Sequence, residues 1–264
     1  MKLPFISAKC VTYGRVNLLE EAFYSFLKQD YPKDRCELII VNDYPLQRLK
    51  LPKELESSNI RIFNLGATFP TIGAKENFAT AKCRGDIICQ WDDDDVALPN
   101  HFNNVVKYFD KDANILHWGR GAYWEEPNIV SLTGLGNSGI VFRKSAWEAI
   151  GGHPLENAGY DMTFVNRLHK LGITTAVPAK EEVSWFYRWG FVNYDCYHQS
   201  GRGTDDGTFP NIIERHTQHI EDLRKQGKIP IGDIILNPHW NYDYEQQLKD
   251  YNSYSNKQES SNYP

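Results

Sequence analysis

The chain has 264 residues, 41% hydrophobic and 13% aromatic, enough to bury a substantial core in one large domain or two small ones. Its formal net charge of −5 gives no global attraction to nucleic acid or to an anionic membrane. Its five cysteines, at positions 10, 36, 83, 89 and 196, form no CxxC pair and leave one unpaired, which speaks against a disulfide framework or a zinc site. No apolar run approaches the length of a membrane span, and Met1-Lys2-Leu3-Pro4 leads straight into a β-like segment with no signal-peptide pattern. A cytoplasmic protein without an integral membrane segment is therefore expected, with buried free thiols at Cys10, Cys36 and Cys89.

Phe5–Val11 reads as a first strand. Asn17-Leu18-Leu19-Glu20 has the form of a capping box, and Leu18, Leu19, Ala22, Phe23, Phe26 and Leu27 recur at helical spacing, so a helix is expected over Leu18–Gln29. Leu38-Ile39-Ile40-Val41 is a continuous apolar run of strand length, the pattern of a strand buried on both faces. A short helix around Pro52–Glu56, a strand at Ile60–Phe63, a helix at Ile72–Lys82 and a strand at Asp86–Gln90 follow. Alternating units of this size imply a mainly parallel sheet with helices on both faces, an α/β fold. Ligands of such sheets bind beyond the carboxyl ends of the strands. Here those ends are Thr12–Arg15, Asn42–Tyr44 and Trp91–Asp95.

The second half is less regular. A helix is expected over Pro99–Asp110, strands at Ile115–Trp118 and Gly139–Arg143, and short strands among loops over Gly119–Asn137. Lys144–Ile150, Tyr160–Leu171 and a segment carrying Ile212, Ile213, His216, Ile220 and Leu223 read as helices. From Asn241 onward aliphatic residues almost vanish, which predicts a mobile tail. Gly134-Leu135-Gly136-Asn137-Ser138-Gly139 spells GxGxxG, but the strand-like Ile140-Val141-Phe142 follows where a dinucleotide fold needs a helix.

The chemistry concentrates in Trp91-Asp92-Asp93-Asp94-Asp95. Carboxylates about 6 Å apart repel by roughly 2–3 kcal/mol at an effective dielectric near 20, and by less than about 1 kcal/mol in open water. The stretch is therefore either a solvated helix entrance, with Asp at the positive end of the dipole, or a site for a hard divalent cation. An EF-hand does not fit, because Ala97 falls where its loop needs Gly and Asn103 where it needs Glu.

Taken together, Cys10-Val11-Thr12-Tyr13-Gly14-Arg15, Ile39-Ile40-Val41-Asn42-Asp43, Gly73-Ala74-Lys75-Glu76-Asn77, Gly85-Asp86-Ile87-Ile88 and the Asp quartet resemble, in order and spacing, the nucleotide-binding half of a family 2 glycosyltransferase with the GT-A fold. Two positions depart from that pattern: Glu76 stands where the family usually carries Arg, and Tyr160 where it usually carries Glu or Asp. The resemblance implies a metal-dependent, inverting transferase that uses a nucleotide-diphospho-sugar, in the first place a UDP-sugar. It implies a donor-binding half over residues 1–99, an acceptor half over 100–230, and an extension over 231–264.

The resemblance also implies roles. Thr12, Tyr13 and Asp43 would hold the nucleoside, with Arg15, Lys75, Asn77, Asp92, Asp93 and Arg188 completing the donor site. Asp94, with Asp92 and His198, would bind Mn2+ or Mg2+. Asp161, in Gly159-Tyr160-Asp161, would be the catalytic base, and Asp95 would cap the next helix. A growing glycan, a lipid-linked sugar, a protein or a hydroxylated nucleobase remain open as acceptors, as does the oligomeric state. The alternatives are a nucleotidyltransferase, for which Thr12–Arg15 is not the expected Gly-rich phosphate loop, and a non-catalytic sugar-binding relative.

Overall fold

The structure is a computed structural model that describes residues 3–112, 114–133, 139–157, 159–176, 178–179, 181–188 and 212–261. In chain order the first half comprises β1 (Ile6–Thr12), α1 (Val16–Leu27), β2 (Cys36–Asn42), β3 (Gln47–Lys50), β4 (Ile60–Asn64), α2 (Ile72–Lys82) and β5 (Ile87–Gln90). The second comprises β6 (Val96–Ala97), α3 (His101–Phe109), β7 (Ile115–Trp118), β8 (Arg120–Glu125), β9 (Asn128–Thr133), β10 (Ile140–Arg143), α4 (Lys144–Ala149), α5 (Tyr160–Lys170) and β11 (Thr174–Ala176). It closes with β12 (Val183–Arg188), α6 (Ile212–Lys225), β13 (Gly232–Ile235) and α7 (Tyr244–Ser261).

Seven strands form the central sheet in the order β11-β7-β10-β5-β1-β2-β4, parallel throughout except that β10 runs against both its neighbours. The apolar run of β2 is buried at every position, and its residues divide by period two. Leu38 and Ile40 join Ala22, Phe23 and Phe26 of α1 and Phe102 and Val105 of α3 on one face. Ile39 and Val41 join Ala79 of α2 and Phe164, Val165 and Leu168 of α5 on the other. The expected α/β sheet covered on both faces is therefore present. A four-stranded sheet, β6-β12-β8-β9, and a two-stranded one, β13-β3, lie outside it.

Three expectations are corrected. The capping box does not form: α1 begins at Val16, with Arg15 at the cap position and no side-chain cap. Arg15 is instead committed to the Asp loop, and Glu20 Oε1 accepts from Asn237 N at 2.7 Å. Asp95 caps no helix, because its Oδ1 accepts from Arg188 N of β12 at 3.1 Å. The stretch after Asn241 is a helix and not a structureless tail, and its entry is tied down. Tyr244 is fully buried, Trp240 Nε1 donates to Ser25 Oγ at 3.0 Å, and Trp124 Nε1 donates to Gln247 Oε1 at 2.9 Å. Aromatic rings replace aliphatic side chains in fixing this segment, which a count of aliphatics overlooks. Among the described residues, no helix is long and apolar enough to cross a membrane.

Candidate active site

Parallel register brings the ends of the central strands together. Thr12 stands opposite Asn42 across β1 and β2, and Lys9 opposite Gln90 across β1 and β5. The loops that leave these ends carry Tyr13–Arg15, Asp43 and the Asp quartet. Thr12, Asp43, Asp93, Asp94 and Asp95 are all buried, so the quartet is not a solvated helix entrance.

Unpaired carboxylates cannot be packed this tightly without compensation. The Arg15 guanidinium forks onto Asp93, with Nε 3.1 Å from Oδ2, and reaches Asp94 Oδ2 from NH1 at 3.0 Å. The half-buried Asp92 accepts from Gln90 Nε2 at 2.6 Å. Burial, and after it the charges of Asp95 and Asp94, push the Asp92 carboxyl up to about 7. Asp93 is also raised, by burial first, against the opposing pull of Arg15.

A second buried network sits just behind the loop. Lys9, an ammonium inside a parallel sheet, is ion-paired with Glu76 of α2 and bonded to Gln90 Oε1, and none of its surface is exposed. Gln90 Nε2 also donates to Glu76 Oε1 at 3.0 Å. Gln90 thus links Lys9 and Glu76 to Asp92. Burial first, and then the nearby charges of Glu76, Asp92 and Asp161, raise the Tyr160 hydroxyl well above its ordinary range, and that hydroxyl is bonded to Glu76.

Beyond the end of β2, Asp43 is ion-paired with Lys75, and its Oδ2 accepts from Phe69 N at 3.0 Å. Lys75 Nζ also donates to Thr12 O at 2.7 Å. The Tyr13 ring packs edge-on against Tyr44 at 4.9 Å and bonds to Thr68 and to Thr217 of α6. Thr12, Tyr13, Arg15, Asp43, Lys75, Asp92, Asp93 and Asp94 are thereby gathered on one edge.

Two expected donor contacts lie elsewhere. Arg188 has no exposed surface: NH1 meets Glu21 Oε1 at 2.6 Å, and Nε donates to Asp94 O. With its charge spent on Glu21, Arg188 braces the Asp loop from behind and is not presented to a diphosphate. Asn77 is spent on the segment around α4 and before α5, its Oδ1 accepting from His153 N at 2.7 Å and Trp147 Nε1 at 3.0 Å, its Nδ2 donating to His153 O at 2.9 Å. His198 and Arg202 fall outside the described residues.

The bonds of Asn77 belong to a longer seam. Thr71 Oγ1 caps α2 by accepting from Ala74 N at 3.1 Å. Gly73 N donates to Glu156 O at 3.1 Å, and Ile72 N to Asn157 Oδ1 at 3.0 Å. A Cβ on Gly73 would stand 1.8 Å from Pro154 O, so only glycine allows this approach. The start of α2 thus holds residues 153–157, which in turn set where α5 begins. Asp161, in the first turn of α5, accepts from Met162 N at 2.8 Å. A small cleft is lined by Asp92 from the Asp loop and by Tyr160 and Asp161 from α5, with Gln90 and His153 beside them.

Sequence reasoning missed Lys9, Glu21, Gln90 and His153. Lys9 left a signal, a charge in the middle of an apolar strand, which demands a buried partner. Glu21 left a similar one, on the face of α1 that carries Leu18 and Phe26. Cys10, Cys36, Cys83 and Cys89 are buried free thiols, and Cys196 falls outside the described residues. No group of three or more His, Cys, Asp or Glu side chains able to hold a metal ion occurs among the described residues.

Residues 10–189 match a family model described as Glycosyl transferase family 2. No curated protein matches this chain by sequence. Among solved structures, it is similar to S. aureus TarS 1-349 in complex with UDP-GlcNAc, at 14% identity and a TM-score of 0.60, over 75% of this chain and 61% of that one. It is also similar to the mannosyltransferase PcManGT from Pyrobaculum calidifontis in complex with GDP-Man and Mn2+, at 17% identity and a TM-score of 0.56, over 87% and 67%. The chain spans 60–64% of the length of the TarS 1-349 structures it resembles. At these identities the structural likeness establishes the fold.

Proposed function

The chain belongs to glycosyl transferase family 2, and on that premise we propose that it moves a sugar from a nucleotide-diphospho-sugar, a UDP-sugar in the first place, to an acceptor hydroxyl with inversion at the anomeric carbon. The observation that carries this reading is the cleft in which Asp92, from the loop after β5, and Asp161, from α5, face common space. Residues 1–99 would bind the donor, residues 100–230 would form the acceptor side, and 231–264 would be an extension packed back along α1.

In this reading Thr12, Tyr13 and Asp43 hold the nucleoside. Arg15, partly exposed beside Asp93 and Asp94, brings positive charge toward the diphosphate, and Lys75 orients Asp43 for the nucleoside. Asp161 takes the proton from the acceptor hydroxyl as that oxygen bonds to the anomeric carbon. The bond from that carbon to the diphosphate breaks, and its electron pair leaves with the nucleotide.

Mn2+ or Mg2+ fits the residues present. Carboxylate oxygens suit a hard cation, and one or two of them suffice when substrate phosphates complete the shell. Asp94 and Asp92 would hold the ion, which when bound stabilises charge gathering on the leaving diphosphate. That a similar mannosyltransferase was solved with GDP-Man and Mn2+ supports both the donor class and the ion. The negative net charge speaks against the hydroxylated nucleobase of DNA as acceptor, and leaves glycan, lipid-linked sugar and protein.

The test is nucleoside-diphosphate release from a panel of UDP- and GDP-sugars with and without Mn2+, for wild type, Asp94→Ala and Asp161→Asn. Asp161→Asn should lower turnover by about 10²–10⁴, the contribution of a positioned general base. Asp94→Ala should abolish the response to Mn2+. Turnover that ignores Asp94→Ala removes the metal assignment, and turnover that survives Asp161→Asn removes the base. Release of sugar 1-phosphate in place of nucleoside diphosphate would move the reading to nucleotidyl transfer.

A further inference from the structure

The four carboxylates of the Asp loop are held by different kinds of group. Arg15 holds Asp93 and Asp94 through its guanidinium, and Arg188 N holds Asp95. Asp92 is held by the neutral side chain of Gln90, whose Nε2 donates to Oδ1 at 2.6 Å. An amide orients a carboxylate without cancelling its charge, whereas a cation in the same place would compete with any ion that the carboxylate binds.

An amide presents an oxygen on one side and an NH2 on the other, and its partners decide which side faces Asp92. Lys9 stands directly opposite Gln90 in the register of β1 and β5. An ammonium can only donate, so Lys9 claims the amide oxygen. The NH2 is thereby turned the other way, and it reaches Glu76 Oε1 at 3.0 Å and Asp92 Oδ1 at 2.6 Å. Glu76, which only accepts, takes the ammonium on Oε2 and the amide on Oε1, and this closes the arrangement. With the amide reversed, its oxygen would face two carboxylates and its NH2 would face the ammonium. One orientation satisfies every group, and the other satisfies none.

Lys9 and Glu76 have no exposed surface, and neither is among the residues that line the cleft, whereas Gln90 and Asp92 both line it. Replacing a buried ion pair with apolar residues of similar volume is often neutral or stabilising, so stability gives little reason for a charge inside β1. Orienting Gln90 supplies one. We propose that Gln90 is a positioning residue: the buried Lys9–Glu76 pair fixes its amide, and the amide holds Asp92 in the orientation that the donor's cation requires. This rests on the transferase reading above and on its assignment of Asp92 to the ion. Outer partners that orient a metal-ligating side chain are worth about 10–100-fold in metal affinity or activity.

The experiment measures Mn2+ binding by calorimetry with saturating UDP or GDP, nucleotide binding without Mn2+, and the Mn2+ dependence of nucleoside-diphosphate release. Gln90→Leu removes the amide and leaves the ion pair in place. It should weaken Mn2+ binding about 10–100-fold and regain turnover as Mn2+ is raised. Nucleotide binding without Mn2+ should stay within about twofold of wild type. Gln90 itself lines the cleft, so a second variant separates orientation from direct contact with substrate. Lys9→Met/Glu76→Met removes both buried charges and frees the amide to turn. It should show the same loss of Mn2+ affinity, with an unfolding midpoint close to that of wild type. Adding Gln90→Leu to it should cost less than about threefold more, because both act through one bond. Mn2+ affinity within twofold of wild type in Gln90→Leu or in the double variant overturns this inference alone, as does lost turnover that added Mn2+ does not restore. A wild-type nucleotide complex that binds no Mn2+ overturns the metal assignment, and this inference with it.

Discussion

Glu21→Gln should destabilise the protein severely although it removes no volume. Glu21 is 1% exposed on α1, and its Oε1 lies 2.6 Å from Arg188 NH1. Its Oε2 accepts from Tyr244 OH at 2.8 Å and Asn241 N at 3.1 Å. The amide in Gln lacks the charge and turns a donor toward groups that are donors themselves. Arg188, with no exposed surface, then keeps a guanidinium charge in the interior. Breaking a buried pair from one side costs about 3–5 kcal/mol. For a domain of this size that is a fall in Tm of roughly 6–20 °C, at about 2–4 °C per kcal/mol. Thermal and urea unfolding would read it. The double variant Glu21→Met/Arg188→Met removes both charges, and should be markedly more stable than the sum of its single variants predicts. A loss below about 1 kcal/mol for Glu21→Gln, or an additive double variant, would refute the reasoning.

Two further outcomes follow from the same geometry. Burial alone would raise the Glu21 and Glu37 carboxyls. Arg188, Asn241 N and Tyr244 outweigh it at Glu21, and Ser7, Arg84 and Arg61 at Glu37, holding both below the ordinary range. Their stabilisation is complete above the unfolded carboxyl value of about 4.3 and is lost as pH falls through the folded values. Tm should therefore drop steeply below about pH 4.3, and Glu37→Gln should flatten the profile while lowering its plateau; an unchanged slope would count against the assignment. Gly73→Ala should force residues 154–156 away from α2, because the added Cβ would stand 1.8 Å from Pro154 O. Overpacking of this kind costs about 1–3 kcal/mol, and displacing the segment before α5 should lower turnover far more than nucleotide affinity. Unaltered kinetics would show that the seam does not position Asp161.

Much of this was legible in the sequence because the signals were local or periodic. The both-face burial of β2, the α1 stripe and the convergence of three loops at the strand ends follow from apolar runs and their spacing. Positions such as Asn77 and Arg188 were legible as motif members, but their partners were not. Asn77 meets residues 70 and 76 positions away, and Arg188 meets one 167 positions away, so their roles are decided by tertiary pairing. The capping box failed for a related reason: the helix begins at Val16, before Asn17, and Glu20 is claimed by Asn237 N, so local propensity lost to a distant bond. The short strands β3 and β13 pair only with each other, and β13 is exposed at three of four positions, which leaves little hydrophobic pattern to read.

The two departures from the family pattern turn out to be one feature. Taken singly, Glu76 loses a cation from α2, and Tyr160 loses an anion from the start of α5. In the fold these two side chains are bonded to each other, and the cation reappears on β1 as Lys9, ion-paired with Glu76. The site holds a buried ion pair, Lys9 on β1 with Glu76 on α2, close to Asp92. Gln90 completes the change by bridging Lys9, Glu76 and Asp92, so the acidic loop remains tied to the core. Tyr160 meanwhile stands beside Asp161 as a neutral hydroxyl whose loss of a proton is opposed by burial and by three carboxylates. One fewer negative charge next to the proposed base removes repulsion that would otherwise act on it. Glu76 and Tyr160 are thus both accounted for by partners inside this chain, Lys9 and Gln90 for Glu76, and Glu76 for Tyr160.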